Sequence, residues 1–131
     1  MLKKCVKMLR LIKKSAFVIY EWPLREQIAQ AGFTEALTFS LCSRDDVSTK
    51  LRKDMPDNAV HIANPKTLEF QIARTTLLPG LLKTVQANLK MPLPMKLFEI
   101  SDVVLKDRAR DVGAKNERQL CALYYNKVQF C

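Results

Sequence analysis

Residues 35–41 alternate cleanly. Leu37, Phe39 and Leu41 fall on one side and Ala36, Thr38 and Ser40 on the other. That period of two predicts a strand whose apolar face joins the core. Just before it, Leu24 and Ile28 lie one helical turn apart. A helix is expected over residues 24–31, opened by Pro23 and closed by Gly32. Ser43 is placed to cap a short helix reaching Leu51, with Asp45 and Asp46 in the first turn, where the helix dipole favours acids. Residues 55–58, MPDN, read as a turn, and 59–63 as a short strand. The run VHIANPKTLEFQIARTTLLPGLL, from Val60 to Leu82, reads as strand, Asn-Pro turn, strand, then helix. Thr76 would cap that helix and Pro79 would sit in its opening turn. Leu78, Leu81, Leu82, Val85 and Leu89 recur at helical spacing and are expected core. The MPLP stretch at 91–94 ends the helix. A long strand follows at 95–105, then a charged loop at 106–118 containing Gly113, then an alternating strand at 119–126.

The first twenty residues differ from the rest. Leu2, Cys5, Val6, Leu9, Ile12, Ala16 and Ile19 share one side of a helical wheel, with lysines and Arg10 opposite. That is a basic amphipathic helix pattern. Three readings stay open for it: a membrane-surface or targeting segment, an RNA-contacting arm, or a solvated tail. The expectation taken is the tail, which divides the chain into residues 1–22 and a domain at 23–131. The tail also dominates the charge. Of 22 basic residues, six lie in the first 14 positions, and no acid precedes Glu21. The remaining 16 bases face 13 acids, so the body is only mildly basic against a total of +9. Charge alone makes no strong case for nucleic acid.

A chain of 131 residues with 48% hydrophobic content can bury one small core. No apolar stretch approaches the ~20 residues of a membrane span, so no membrane partner is expected. Cys5, Cys42, Cys121 and Cys131 include no CxxC spacing, and His61 is the single histidine. Free thiols are expected rather than a metal site.

The run at 60–82 and the segment MKLFEISDVV at 95–104 closely resemble the β subunit of the cytosolic, eukaryotic-type phenylalanine–tRNA ligases. The likeness covers about 24–127, and the ending VQFC departs from it after YYNK. The part resembled is the module that looks like a class II synthetase catalytic core without being thought to catalyse. The resemblance implies an α+β fold: a mostly antiparallel sheet of four or five strands with flanking helices, covered on one face, as an incomplete class II core. The expectation for the chain is a fragment of a longer cytoplasmic subunit or an altered gene model, with an N-terminus from a different exon or reading frame.

Segment 24–41, LREQIAQAGFTEALTFSL, resembles the first class II motif, which builds subunit interfaces in the family. On that basis Leu37, Phe39 and Arg74 are interface candidates. The residues themselves also admit an ordinary helix packed on a strand, and an Arg74 paired with Glu69 or Glu99. Segment 96–126 resembles the second motif, which in catalytic members binds ATP and the acceptor end of tRNA. That chemistry needs a guanidinium on the first strand, whose forked donors match phosphate oxygens. Phe98-Glu99-Ile100-Ser101 stands there instead, and Lys96 is a weak substitute. No third motif is present in the sequence. The resemblance therefore implies no catalytic residue, metal or cofactor in this chain. ATP and magnesium would serve the assembled enzyme, two α and two β subunits, which attaches phenylalanine to its tRNA. Partners would be the α subunit, a second αβ pair and, indirectly, the tRNA. The alternative is an RNA-binding module acting through the basic tail and the 106–118 loop, with Lys106, Arg108 and Arg110 on phosphates.

Overall fold

The computed structural model describes residues 4–11 and 17–127. Strand β1 spans Lys4–Leu11 and helix α1 spans Phe17–Gln30. Strands β2, Thr34–Glu35, and β3, Leu41–Cys42, are very short, and helix α2 is the single turn Arg44–Val47. After 3₁₀ turns at Thr49–Leu51 and Leu68–Phe70 come β4, Ile72–Ala73, and helix α3, Leu78–Ala87. The long strands β5, Met95–Lys106, and β6, Ala114–Lys127, complete the order.

The sheet runs β1-β6-β5-β2. β5 and β6 form an antiparallel hairpin in unbroken register from Met95↔Tyr125 to Lys106↔Ala114. β2 joins β5 in parallel, at Thr34↔Leu97 and Glu35↔Phe98. A second small sheet pairs β3 with β4.

Successive side chains of the hairpin point to opposite faces, and each face is covered. On one, Leu97, Val103, Cys121, Leu123 and Tyr125 pack with Leu77, Leu81 and Val85 of the α3 region. On the other, Phe98, Ile100 and Leu120 pack against Leu24 and Ile28 of α1 and against Phe33. A third cluster holds Cys42, Val47, Ala59 and Ile72. The α+β class and antiparallel character are as expected, but helices cover both faces rather than one. The reason lies in β5, where Leu97 and Phe98 are adjacent, both apolar and both buried. A strand with apolar residues on both sides needs two covers.

Several boundaries differ from the sequence reading. Pro23 lies inside α1 instead of opening it. Its ring nitrogen has no hydrogen to give the preceding turn, and the burial of Leu24 and Ile28 offsets that loss. Gly32 does close the helix. Its φ of +84° is open to glycine, and the Gly32 and Phe33 amides donate to Ala29 and Ile28 carbonyls at 2.9 and 3.3 Å. Ser43 caps α2 with a full capping box: its hydroxyl accepts from the Asp46 amide, and Asp46 accepts from the Ser43 amide. Leu77, not Thr76, precedes α3, and no side chain caps it. The 59–63 strand reduces to isolated bridges at Ala59 and His61, and part of the expected following strand is the 3₁₀ turn at Leu68–Phe70. The 106–118 loop narrows to 107–113, because Lys115 and Arg118 already belong to β6.

The largest correction concerns the N-terminal segment. Lys4–Leu11 is not helical. It is a strand, paired antiparallel with β6 from Lys4↔Lys127 to Leu11↔Leu120. The open backbone edge of β6 pairs with this segment in register over eight residues, giving it a partner that an isolated amphipathic helix lacks. Residues 1–3 and 12–16 of the helical pattern, and the ending VQFC, lie outside the described residues.

Candidate functional site

The residues between β2 and β3 form no strand. They cross the open side of β5 in an extended segment that alternates, but with its sides reversed from expectation. Leu37 is 89% exposed and Phe39 66% exposed, while the polar Thr38 turns inward. Alternation fixes which residues share a side, not which side is inside. Here the sign is set by Glu99, fully buried at the centre of β5, which needs donors. Thr38 supplies two: its hydroxyl donates to Oε2 at 2.7 Å and its amide to Oε1 at 3.3 Å.

Arg74 supplies the rest. It follows β4, is itself buried, and its Nη1 meets Glu99 Oε1 at 2.8 Å. Nη1 also approaches the Thr38 carbonyl and hydroxyl, each at 3.1 Å. Nε donates to the Asp102 carbonyl at 2.9 Å and Nη2 to the Ser101 hydroxyl at 2.6 Å. Of the two expected carboxylates, Glu99 is therefore the partner. The guanidinium ties together β4, the Thr38 segment and β5. Breaking such a buried pair from one side costs about 3–5 kcal/mol, since the other charge is left unpaired.

Gly80 allows α3 to close over this knot. A methyl group there would lie 2.6 Å from Thr38 Cβ and closer still to its hydroxyl. Between α3 and the Thr38 segment runs a groove of about 290 Å³. Leu37, Phe39 and Phe70 form one lip, with the Phe39 and Phe70 rings 5.0 Å apart and tilted by 52°. Pro79, Gly80, Lys83 and Thr84 form the other wall, above Arg74 and Asp46.

Asp46 is buried and bonded by two ammonium groups, Lys83 at 2.6 Å and Lys50 at 2.7 Å. Burial pushes its carboxyl up, but the bonds from Lys50, Lys83 and Ser43 outweigh this and hold it well below the usual carboxylate range. Burial also raises the Cys42 thiol to about 11, helped by the Asp46 charge, so this cysteine is an inert apolar group.

The three site candidates Leu37, Phe39 and Arg74 thus meet at one place, two as exposed lip and one as buried floor. Thr38, Gly80, Asp46 and Phe70 belong there too and were not singled out as site residues. The signal for Asp46 was visible as the second half of a capping box. Lys106, Arg108 and Arg110 are exposed at the tip of the β5–β6 hairpin. That turn closes on itself through bonds of the Asp107, Arg110 and Gly113 backbones. Lys96 does not face the knot: its ammonium lies 5.7 Å from the Phe33 ring centroid and 3.4 Å from the Ala31 carbonyl at the end of α1. Phe98, where the second motif's guanidinium would stand, is buried against α1. His61 Nδ1 lies 3.4 Å from an Arg44 nitrogen at the surface. Among the described residues, no three His, Cys, Asp or Glu side chains gather as a metal site, and no helix is long and apolar enough to cross a membrane.

Comparison with known proteins gives a consistent result. A family described as the phenylalanyl tRNA synthetase beta chain CLM domain matches residues 12–130. Over 106 residues, 80% of the chain, the sequence is 70% identical to the phenylalanine–tRNA ligase beta subunit of Mus musculus, covering 18% of that protein. The subunit of Drosophila melanogaster matches equally, and that of Homo sapiens is 70% identical over 105 residues, 79% of the chain and 18% of the relative. The chain therefore spans less than a fifth of the length of these relatives.

Proposed function

The chain belongs to the family of phenylalanine–tRNA ligase β subunits, and we propose that it serves there as an architectural, catalytic-like module that docks on the α subunit. In this reading the assembled enzyme, two α and two β subunits in the cytoplasm, joins phenylalanine to its tRNA with ATP and magnesium. This module helps hold the assembly and meets the tRNA only indirectly.

The observation that carries the reading is the inward commitment of Arg74, the buried guanidinium beside β5. Arg74 spends its donors on Glu99, Ser101, Thr38 and Asp102. Phosphate binding requires preorganised donors aimed at the ligand. Arg74 is aimed at the protein, and Phe98 fills the neighbouring position with an apolar ring. These residues do not fit ATP or magnesium, so those groups would be held elsewhere in the enzyme. The outward display of Leu37 and Phe39 beside the same knot supports docking, because large apolar groups clustered in this way mark contact surfaces.

The test is co-purification. The chain should elute with purified α subunit without RNA, and alone it should catalyse no phenylalanine-dependent ATP–pyrophosphate exchange. Failure to bind α, or exchange activity that follows the chain through purification, overturns the reading. The exposed trio Lys106, Arg108 and Arg110 favours one second reading, an RNA contact at the hairpin tip. RNA affinity that falls steeply with salt, and weakens when the three are changed to glutamine, would favour it.

A further inference from the structure

Gln119 is 3% exposed and Thr75 is 9% exposed, and both are polar. Gln119 and Glu117 lie two positions apart on β6, so they point to the same face of the sheet. Gln119 Nε2 donates to Glu117 Oε1 at 3.3 Å. A carboxylate only accepts, so this bond settles which end of the amide is which. It leaves Gln119 Oε1 without a donor among the described residues, and the Thr75 hydroxyl has no partner among them either. Yet no polar side-chain atom sealed inside the described protein lacks a bond. These two oxygens are therefore open to the cavity that both residues line.

That cavity measures about 240 Å³. One water takes ~30 Å³ of liquid, while pockets for drug-sized ligands run to roughly 300–1,000 Å³. The space suits a group the size of one side chain. Val47, Leu51, Leu78 and Leu105 make its apolar wall. Lys53 and Asp54 stand exposed at the rim, one of each sign. Among the described lining residues the remaining charge is Glu117, and Lys115, two positions before it on β6, lies 3.6 Å from Asp107.

We propose that this cavity binds a primary alkylammonium group, either the side chain of a partner's lysine or a free amine of that size. An ammonium has three donors and no acceptor, which complements the Glu117 carboxylate, Gln119 Oε1 and the Thr75 oxygen. Its methylene stem lies along the apolar wall. An alcohol brings one donor to three acceptors, and a carboxylate brings none. Occupation breaks neither the Gln119–Glu117 bond nor any bond of Arg74. None of the three binding residues belongs to the Arg74–Glu99 knot, so co-purification with α can fail without touching this result.

The test uses the full chain, labelled with ¹⁵N and titrated with n-butylammonium, n-butanol and n-butyrate. Saturable amide shifts are expected at Thr75, Thr76, Leu78, Glu117 and Gln119 with the amine. The amine should bind at least about tenfold more tightly than the alcohol, because hydrogen bonds to charged groups are the stronger ones. Butyrate should not bind. Glu117→Gln, at a half-buried position where the Gln119 bond can still form, should erase the preference for amine over alcohol. Thr75→Val should weaken the amine about threefold. N-acetyl-lysine methylamide separates the two sources. Binding at least as tight as the amine's assigns the site to a partner's lysine, and weaker binding assigns it to a free amine. The ligand series in the unaltered chain decides the chemistry even where a variant fails to fold. An amine that gives no saturable shifts would leave the cavity to water alone and overturn the proposal. Equal binding of amine and alcohol, shifts confined to other residues, or a preference that survives Glu117→Gln would overturn it too.

Discussion

Thr38 donates its hydroxyl to Glu99 Oε2 at 2.7 Å, while its neighbours Leu37 and Phe39 point away from the protein. The polar member of this alternating segment is therefore the structural one. Thr38→Asp would place a second carboxylate beside Glu99 and press it against α3. A loss of about 3 kcal/mol or more is expected, read from urea unfolding. Phe39→Asp, at the exposed lip, should change stability by under about 1 kcal/mol. The simple core-facing reading of Phe39 demands the reverse order.

Arg74→Met should cost about 3–5 kcal/mol, because Glu99 would stay buried with only Thr38 as donor. The double variant Arg74→Met, Glu99→Met should be more stable than Arg74→Met alone. A double-mutant cycle measures the coupling, and additive losses would show that the pair acts independently.

Gly80→Ala should cost about 1–3 kcal/mol, since the new methyl group meets Thr38 and the packed helix cannot retreat freely. Adding Thr38→Ala removes the nearest atom. The second change should then cost less in the Gly80→Ala background than in the wild type.

Asp46 sets an acid limit. Its folded carboxyl is held below its unfolded value near 3.9. Its contribution is therefore fully present above about pH 4 and is lost as pH falls below that toward the folded value. Asp46→Asn should be less stable at pH 7 and should flatten the decline in unfolding free energy between pH 4 and 2. Asp107, also lowered by its bond from the Ala109 amide, leaves some slope in that window. An unchanged slope in the variant would assign the acid sensitivity to other groups.

Deleting residues 1–11 should lower the melting temperature by several degrees, because β1 pairs with β6 along eight residues. Faster amide exchange in β6, with β5 less affected, would be the accompanying sign. An unchanged melting temperature would show the strand to be an ornament of the sheet.

What could be read from the residues was mostly local. The α3 stripe as far as Val85, the β5 and β6 strands, the Ser43 cap and the Gly32 stop each depend on neighbours within a few positions, whereas Leu89, expected in the core, lies past the end of α3 and is exposed. The Arg74–Glu99 pair was expected only as one of two, with Glu69 or Glu99 as the carboxylate, and the structure takes the one 25 residues away. What escaped depends on distant partners. Residues 4–11 carry a helical stripe, and only the free edge of β6 makes them a strand. The inside of the 35–41 alternation is set by Glu99, some sixty residues later. Gly80 shows nothing in sequence beyond following a proline, yet it sets how closely α3 approaches Thr38.

The unbroken register of the β5–β6 hairpin carries a consequence for how the chain avoids wrong folds. Shifting β5 by one position exchanges its two faces. Glu99 would then enter the apolar cluster of Leu24, Ile28 and Phe33, and Arg74 would look onto the ring of Phe98. Two buried charges would lose each other in one slip. The ion pair thus acts as a checksum on the hairpin: it adds modestly to the right alignment and heavily penalises its nearest misreadings. A misaligned molecule has strong reason to reopen before the helices close over it.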